Sequence, residues 1–415
     1  MLCSMRPDIS CRFCGAGLEE PFLDLGMSPL SNSFLDARDL LEMERFYPLQ
    51  VCWCRQCGLV QLPEFESPEE IFEEYAYFSS YSVSWVEHAR VYVHEMQRRL
   101  ELSSAHRVIE IGSNDGYLLR HFNELGIETL GIEPARNVAA AAEQEGVQTM
   151  VRFFGKEVAG ELQAAGTTAD LLVANNVLAQ VPHLNDFVAA IKLVLRAGGV
   201  ITVEVPHLMR LLAENQFDTI YHEHFSYFSL RTVRDLFTSH DLKVFDVDEL
   251  PTHGGSVRVY ACHQDDGRQV SPAVESLLGI ERQAGLESGE AYPAFSGRVW
   301  ETKRALLSFL IDAGRQNKRV AAYGAPAKGN TLLNFCGIRT DLVAYTVDRN
   351  PYKQGKYLPG THIPIHAPER LQDSQPEFVL VLPWNLREEI VAQLAFIRDW
   401  GGQFVFPIPT LEVVP

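Results

Sequence analysis

The segment Arg107-Val-Ile-Glu-Ile-Gly-Ser-Asn-Asp-Gly116 joins a short apolar strand to a turn that contains two glycines. Residues 117–125 then have a helical pattern, which Gly126 ends. Residues 129–132 form a second short apolar run, followed directly by Glu133. A strand, a turn, a helix and a second strand in this order predict a βαβ unit within a parallel sheet.

The same alternation of patterns continues on the C-terminal side of this unit. Predicted helices fall at residues 134–146, 187–195 and 231–240, and predicted strands at 170–174, 200–204 and 256–261. Gly198 and Gly199 are typical of a turn before the strand that starts at residue 200. We therefore expect an α/β fold with a central Rossmann-like sheet in a domain of residues 69–265.

A second, smaller α/β pattern occupies residues 266–415, after a polar stretch at 264–267. It begins with a long helical region at residues 272–317. Strands are predicted at 319–323, 343–347 and 378–382, and a helix at 331–336 follows the first of them. This pattern predicts a Rossmann-like C-terminal domain.

Six of the eight cysteines lie in the first 57 residues. Cys11 and Cys14 form one CxxC pair, and Cys54 and Cys57 form a second. Four thiolates in two such pairs favour a tetrahedral, structural zinc site, which predicts a zinc-binding domain over residues 1–68. The alternatives are buried thiols without a metal, or Cys52 as a substitute ligand.

Composition excludes several classes of protein. The 415 residues carry a net charge of −18, which disfavours binding to nucleic acid. Apolar runs fall short of the roughly 20 residues that span a bilayer, and the N-terminus lacks the apolar core of a signal peptide. We expect a cytoplasmic protein without membrane or nucleic-acid partners, and we favour a monomer.

The turn at 112–116 has the features of a cofactor site. Gly112 and Gly116 precede a helix N-terminus, and Glu133 is placed to accept hydrogen bonds from both hydroxyls of a ribose. These features alone fit NAD or S-adenosylmethionine. The missing third glycine, together with Glu110 two residues before Gly112, favours S-adenosylmethionine. The alternative is a purely structural turn between strand and helix.

At this point the order of motifs resembles a known family, the sugar C-methyltransferases. The motifs are the two CxxC pairs and the segments at residues 75–80, 110–116, 174–177, 221–224, 253–256 and 323–329. The resemblance covers nearly the whole chain. It implies a zinc-binding N-terminal domain, a central S-adenosylmethionine domain in which Asn114 and Asn175 also contact the cofactor, and a C-terminal domain that helps to bind a sugar nucleotide.

Methylation of a carbon next to a ketone requires a base, a hydrogen-bond donor for the enolate oxygen and a methyl donor. His224 resembles the base of the family, and a histidine accepts protons near neutral pH. Glu223 is expected to orient or tune it, and Tyr221 and Tyr77 are candidate donors. The alternatives are a surface turn with hydrogen-bonded histidines and, for Tyr77, a packing role.

The substrate contacts are predicted from the same resemblance. Gln180 stands where the family often has a histidine, and it can form hydrogen bonds without titrating. Lys328, with free amides at Gly329 and Asn330, is predicted to bind the diphosphate, and Arg349 is a further candidate. The alternative for residues 324–330 is a tight turn with one exposed lysine.

The interpretation we favour is methyl transfer to a carbon alpha to the ketone of a nucleotide-linked (dTDP) keto-deoxysugar. Two other hypotheses remain open. One is a methyltransferase that acts on oxygen in a different small molecule, which would not enolise its substrate. The other is a non-catalytic, zinc-stabilised binding protein with a degenerate cofactor fold.

Overall fold

The structure is a computed structural model that describes residues 9–72 and 78–415. Within those residues the strands are β1 (Leu23–Ser28), β2 (Tyr47–Trp53), β3 (Val60–Gln61), β4 (Arg107–Ile111), β5 (Glu128–Ile132), β6 (Thr149–Met150), β7 (Ala169–Asn175), β8 (Leu195–Pro206), β9 (Ser226–Tyr227), β10 (Leu242–Leu250), β11 (Ser256–His263), β12 (Val320–Tyr323), β13 (Thr346–Val347), β14 (Ile365–His366), β15 (Phe378–Val381), β16 (Gln403–Phe406) and β17 (Glu412–Val414).

The α-helices of the same residues are α1 (Pro68–Phe72), α2 (Val83–Arg99), α3 (Leu119–Glu124), α4 (Arg136–Gln144), α5 (Lys156–Ala164), α6 (Leu184–Val194), α7 (Leu208–Ala213), α8 (Leu230–Thr238), α9 (Pro272–Gln283), α10 (Ala291–Arg315), α11 (Ala327–Cys336), α12 (Arg370–Ser374) and α13 (Arg387–Gln393). Short 3-10 helices connect several of these elements. Those that matter below are Ser79–Tyr81, Leu178–Gln180, Phe217–Thr219 and Trp384–Leu386.

The chain forms two compact units, each built from three separate stretches. The first unit comprises the chain up to Glu19, Trp53–His207 and Phe225–Glu287. The second unit comprises Glu20–Cys52, Leu208–His224 and Ser288–Pro415. The boundaries predicted from the sequence divide the chain into three consecutive domains instead, and those boundaries stay a prediction.

The first unit contains a seven-stranded sheet, counted over the described residues, in the order β10-β11-β8-β7-β4-β5-β6. The five strands from β8 to β6 run parallel to one another. Strand β11 runs antiparallel to them, and β10, which is antiparallel to β11, runs in the same direction as the five. Helices α2 and α3 contribute Tyr92 and Phe122 to a core with Val108 and Leu171 of the sheet, and all four side chains are fully buried. Burial contributes about 1.5–3 kcal/mol for a large apolar side chain. The prediction of a central Rossmann-like sheet is confirmed.

The prediction of a turn at Gly198 and Gly199 is wrong, because both glycines lie inside β8. The pairing of β7 with β8 shifts register between Ala169 and Leu171, which marks an irregularity in the ladder. Gly198 has a φ of +79°, and a Cβ atom on Gly199 would lie 2.8 Å from the carbonyl oxygen of Ala169. The glycines therefore serve a bulge, where the backbone of two strands approaches closely.

The second unit contains a six-stranded sheet, again counted over the described residues, in the order β14-β13-β12-β15-β16-β17. All its pairs are parallel except the one between β16 and β17. The predicted helical region at 272–317 is divided into α9 and α10, and the unit boundary falls between them. Helix α11 begins at Ala327, four residues before the predicted start, which places Lys328 and Asn330 in its first turn.

Candidate functional site

Four cysteine sulfurs of the first unit lie close together. The Sγ atoms of Cys11, Cys14, Cys54 and Cys57 are all within 4.8 Å of one another. The Cys11–Cys57 and Cys14–Cys54 pairs are each separated by 3.5 Å. A tetrahedral zinc ion with Zn–S bonds of about 2.3 Å requires sulfurs about 3.8 Å apart, so this cluster has the dimensions of a four-cysteine zinc site.

Each CxxC pair is held by a glycine turn. The N–H of Gly15 donates to the carbonyl of Cys11 at 2.9 Å, and the N–H of Gly58 donates to that of Cys54 at 2.8 Å. Both glycines have a positive φ, which favours glycine at these positions. The Nε2 group of Gln61 donates to the Cys11 sulfur at 3.1 Å, a contact that stabilises a metal-binding thiolate.

The turn after β4 requires both of its predicted glycines. Gly112 has a φ of +66°, and a Cβ atom there would lie 2.5 Å from a methyl carbon of Val177. Gly116 has a φ of +76°, and its Cβ would lie 2.8 Å from a methyl carbon of Val147. Asn114, between them, also has a positive φ, a conformation that asparagine tolerates better than most residues.

Glu133 follows β5 and connects it to the turn. Its Oε2 accepts the N–H of Asn114 at 2.9 Å, and its Oε1 accepts the N–H of Ala135 at 2.9 Å. Burial raises the pKa of this carboxyl group, although both amide contacts lower it. Each carboxylate oxygen has two lone pairs, so these bonds leave acceptor capacity for two ribose hydroxyls.

Four buried polar atoms around the turn have no hydrogen-bond partner among the residues that the structure describes: Oε2 of Glu110, Oγ of Ser113, Oδ1 of Asp115 and Oδ1 of Asn175. Buried polar atoms are nearly always paired in folded proteins, so this cluster indicates a ligand site. Burial, and then the carboxylates of Glu133, Asp115 and Glu204, raise the pKa of Glu110 well above its usual range. Such a cluster of acids favours a ligand that carries positive charge.

A buried ion network at the same end of the sheet was not predicted from the sequence. Glu204 of β8 is fully buried and accepts hydrogen bonds from Arg258 Nε at 2.8 Å and His88 Nε2 at 3.0 Å. The ring of His88 stacks on Trp85 with 4.9 Å between centroids. Burial raises the pKa of Glu204, but His88 and Arg258 outweigh it and lower the pKa overall, so this carboxylate is ionised.

His224 lies in the second unit, at the end of the stretch Leu208–His224. Its Nδ1 lies 3.0 Å from the carbonyl oxygen of Thr219. A carbonyl only accepts, so Nδ1 carries the proton and Nε2 carries the basic lone pair. Burial lowers the pKa of His224 to about 4, opposed by the Thr219 bond and reinforced by the charge of Lys328. The imidazole is therefore neutral at physiological pH.

Glu223, the residue before the predicted base, is also buried in the second unit. The Nδ2 group of Asn32 donates to both of its oxygens, at 2.8 and 2.7 Å. Burial raises the pKa of Glu223 to about 7, against the lowering effects of Asn32 and of the Lys353 charge. This carboxyl group titrates near neutral pH, as general acids and bases do.

The two predicted tyrosines differ in what the structure describes. The ring of Tyr221 lies 4.0 Å from that of His224, centroid to centroid, so the two side chains are in contact. Tyr77 lies outside the described residues, and its role stays a prediction. The neighbouring Ser79 does belong to the described chain, and its N–H donates to Oδ1 of Asn114 at 2.8 Å.

Helix α11 starts earlier than predicted, and this early start uses backbone groups that were predicted to bind the substrate. The N–H groups of Gly329 and Asn330, predicted to be free, both donate to the carbonyl of Pro326, at 2.9 and 3.3 Å. Asn330 is fully buried, and its side chain donates to the carbonyl of Ser31. The prediction of free amides here is therefore wrong, because the first turn of the helix uses them.

The other two predicted substrate residues lie in different units. Arg349 is exposed just after β13 in the second unit. Gln180 is partly buried in the first unit, at the end of the 3-10 helix that follows β7. Its backbone N–H donates to the carbonyl of Val177 at 2.8 Å. The side chain of Val177 lies next to Gly112, so Gln180 is linked by this hydrogen bond to a neighbour of the cofactor turn.

Three family models match the chain, one after another. Residues 11–72 match a model described as "Putative zinc binding domain", residues 85–247 a "Methyltransferase domain", and residues 251–409 a "C-methyltransferase C-terminal domain". The C-methyltransferase NovU of Streptomyces niveus is 36% identical over 410 residues, which cover 99% of this chain and 98% of NovU. The chain belongs to the C-methyltransferase family.

Solved structures of other methyltransferases are more distant from this C-methyltransferase. An S-adenosylmethionine-dependent methyltransferase of Thermotoga maritima is 17% identical, with a TM-score of 0.36, over 48% of this chain and 100% of its own. One from Anabaena variabilis is 12% identical, with a TM-score of 0.36, over 42% of this chain and 84% of its own.

The predicted enzyme class and cofactors are confirmed: the protein is an S-adenosylmethionine-dependent C-methyltransferase with a zinc-binding domain. S-adenosylmethionine supplies an electrophilic methyl group on a positively charged sulfur. The residues around the turn fit this cofactor, since Glu133 has capacity for ribose hydroxyls and the acids near Glu110 suit its ammonium and sulfonium charges. None of the described helices combines the length and apolar character that crossing a membrane requires.

Proposed function

We propose that this C-methyltransferase transfers a methyl group to the carbon next to the ketone of a dTDP-linked keto-deoxysugar, with His224 as the base. The observation that carries the proposal is the hydrogen bond from Nδ1 of His224 to the carbonyl of Thr219. It fixes the tautomer in which Nε2 can accept a proton. Carbon methylation requires such a base, because a C–H bond next to a ketone must first lose its proton.

The step at His224 conserves charge and protons. The C–H bond breaks, its proton moves to Nε2, and its electron pair forms the C=C bond of an enolate while the carbonyl electrons move onto oxygen. The low pKa of His224, about 4, keeps the ring neutral and ready to accept this proton over the whole physiological range. The enolate leaves a nucleophilic carbon, to which bound S-adenosylmethionine would supply the methyl group.

Glu223 and Tyr221 are the residues best placed to assist. The ring of Tyr221 contacts His224, which supports a role as a hydrogen-bond donor beside the reacting carbon. The carboxyl group of Glu223, with a pKa of about 7, exchanges protons at working pH and adjoins the base in sequence. Tyr77 is a further proposed donor.

An exposed residue after β13 supports the proposal that the substrate is a nucleotide-linked sugar. Arg349 is exposed there and offers a guanidinium group, the side chain best suited to hold two phosphate oxygens at once. We assign Gln180 to a sugar hydroxyl, because an amide side chain both donates and accepts. Asn330 is buried among protein groups, so we assign it a structural role in holding the chain at Ser31.

The experiment that tests the proposal combines a labelled methyl donor with a panel of dTDP-linked keto-deoxysugars. Mass spectrometry and carbon NMR should show one labelled methyl group on carbon. His224→Asn should lower kcat about 10²- to 10⁴-fold, the range of general-base catalysis, while leaving cofactor affinity unchanged. His362→Asn is the matched control, a half-buried histidine of the same unit that contacts Glu44, and should keep the full rate.

Two results would contradict the proposal. A His224→Asn variant within about twofold of the wild-type rate would place the base elsewhere. Label on oxygen, with no exchange of substrate hydrogen for solvent deuterium when the cofactor is omitted, would favour an O-methyltransferase.

A further inference from the structure

Lys328 carries a largely buried ammonium group with unused hydrogen-bond donors. Its Nζ donates to Oδ1 of Asn385 at 2.8 Å and lies 4.6 Å from the ring centroid of Trp384. An ammonium group has three N–H donors, and within residues 9–72 and 78–415 only Asn385 accepts one of them. Two donors of a desolvated charge are thus left for a ligand.

The surroundings of this ammonium connect it to the proposed base. Trp384 donates its indole N–H to Oδ2 of Asp218 at 2.7 Å, and Asp218 is fully buried. The next residue, Thr219, accepts the Nδ1 proton of His224. All of these residues belong to the second unit, and the charge of Lys328 reaches His224 strongly enough to affect its titration.

The same surroundings argue against a diphosphate as the ligand of Lys328. Phosphate sites at helix N-termini combine a cation with several free backbone N–H groups. Here the amides of Gly329 and Asn330 are both used by the carbonyl of Pro326. The carboxyl group of Asp218, which acts electrostatically on Lys328, would also repel a phosphate.

We infer that the Lys328 ammonium donates to the ketone oxygen of the substrate and stabilises the enolate that forms when His224 removes the neighbouring proton. This inference rests on the proposed function. The ketone oxygen and the proton that leaves are on adjacent carbons, so a substrate with that proton at His224 can present its ketone oxygen to a neighbouring cation. The oxygen gains the negative charge, and Lys328 keeps its proton throughout.

The charge of Lys328 has opposite effects on the two groups that exchange the proton. A cation near His224 makes the imidazole a weaker base, but it makes the ketone a stronger acid. In a buried site of low dielectric constant, a donor aimed at the developing oxyanion contributes about 10²- to 10³-fold to the rate. We therefore expect the stabilisation of the enolate to outweigh the loss of basicity.

The test compares Lys328→Met, Lys328→Arg and Lys328→Gln with the wild type. The first measurement is exchange of substrate hydrogen in D2O, with saturating dTDP-keto-deoxysugar and no methyl donor. The second is the affinity for free dTDP by calorimetry. The third is the pKa of His224 by NMR, which needs no turnover. Lys318→Met is the matched control, because Lys318 is an exposed lysine on the ring of Phe378 in the same unit.

The inference predicts that Lys328→Met lowers the exchange rate about 10²- to 10³-fold and leaves the dTDP affinity unchanged. The pKa of His224 should rise, and Lys328→Arg should recover part of the exchange. If Lys328→Met does not fold, Lys328→Gln, which keeps a donor but loses the charge, should show the same order of loss. Lys318→Met should match the wild type in all three measurements.

Other outcomes would overturn the inference in distinguishable ways. Full exchange in Lys328→Met with weakened dTDP binding would assign Lys328 to the diphosphate, and the His224 base would stand. An unchanged pKa of His224 together with full exchange in Lys328→Met would show that Lys328 acts neither on the base nor on the enolate. Absence of exchange in the wild type would overturn the proposed enolisation, and this inference with it.

Discussion

Substituting Gly112 by alanine should destabilise the protein more than the same change at Gly126, which also has a positive φ. At Gly112 the backbone φ is +66°, and the added Cβ would lie 2.5 Å from Cγ2 of Val177. Two costs therefore combine, one from the conformation and one from the overlap. Each can be estimated separately.

The conformational cost of an L-residue in the left-handed region is about 1–2 kcal/mol. Overpacking by one methyl group adds about 1–3 kcal/mol, and the lower part of that range applies if Val177, which is only partly buried, can move. The expected destabilisation by Gly112→Ala is thus about 2–5 kcal/mol. Gly126 isolates the first cost, because its φ is +71° but a Cβ there would meet nothing within 4 Å.

Urea unfolding of Gly112→Ala, Gly126→Ala, Val177→Ala and the Gly112→Ala/Val177→Ala double variant measures both costs. Val177→Ala should relieve the overlap, so the two substitutions should be less destabilising together than the sum of their separate effects, by about 1–3 kcal/mol. Calorimetry should show weaker cofactor binding for Gly112→Ala but not for Gly126→Ala. Equal destabilisation at the two glycines, with no coupling to Val177, would refute the argument.

Three further predictions concern the metal and the titrating groups. Metal analysis should find one zinc ion per chain in the wild type and a loss of zinc in Cys54→Ser. Cys336→Ser is the control and should keep its zinc, because Cys336 is a buried cysteine outside the cluster. Zinc-free wild-type protein with normal stability would contradict a structural site. The acid limb of kcat/KM should fall near pH 4, where His224 becomes protonated; a limb near 6.5 would assign it to another group. In the folded protein the pKa of Glu223 is about 7, above its ordinary value of 4.5. Its carboxyl group should therefore lower the free energy of unfolding by about 3 kcal/mol as the pH rises from 4.5 to 7. In urea unfolding Glu223→Gln should remove this pH dependence, and an unchanged dependence would contradict the raised pKa.

The features that the sequence predicted well are local in the chain. The cofactor turn, its two glycines and Glu133 fall within 27 residues, and short-range patterns determine their conformation. Each CxxC pair is likewise set by a single glycine turn. The pairing of the two CxxC turns with each other was predictable only because thiolates have few other roles in such spacing.

The features that could not be predicted from the sequence depend on contacts between residues that are distant in the chain. Glu204 meets His88 and Arg258, which are 116 and 54 residues away in the chain, so no local pattern indicated the network. A pair of glycines such as Gly198 and Gly199 is typical of a turn, but a bulge inside a strand uses the same conformational freedom. Asn330 follows a loop motif in sequence, but α11 starts early enough to bury it.

The zinc cluster helps to explain why the compact units do not follow the order of the chain. Its four ligands belong to the first unit, whereas Glu20–Cys52, between the two CxxC pairs, belongs to the second. The metal therefore closes a loop whose middle contains Asn32, the residue that holds both oxygens of Glu223. Closing a long loop removes conformational entropy from the unfolded chain, by about 3–5 kcal/mol for covalent closures of 15–100 residues. The entropy removed by closing this loop thus favours the contact that positions a proposed catalytic carboxyl group, which gives the zinc-binding domain a physical reason to accompany this methyltransferase.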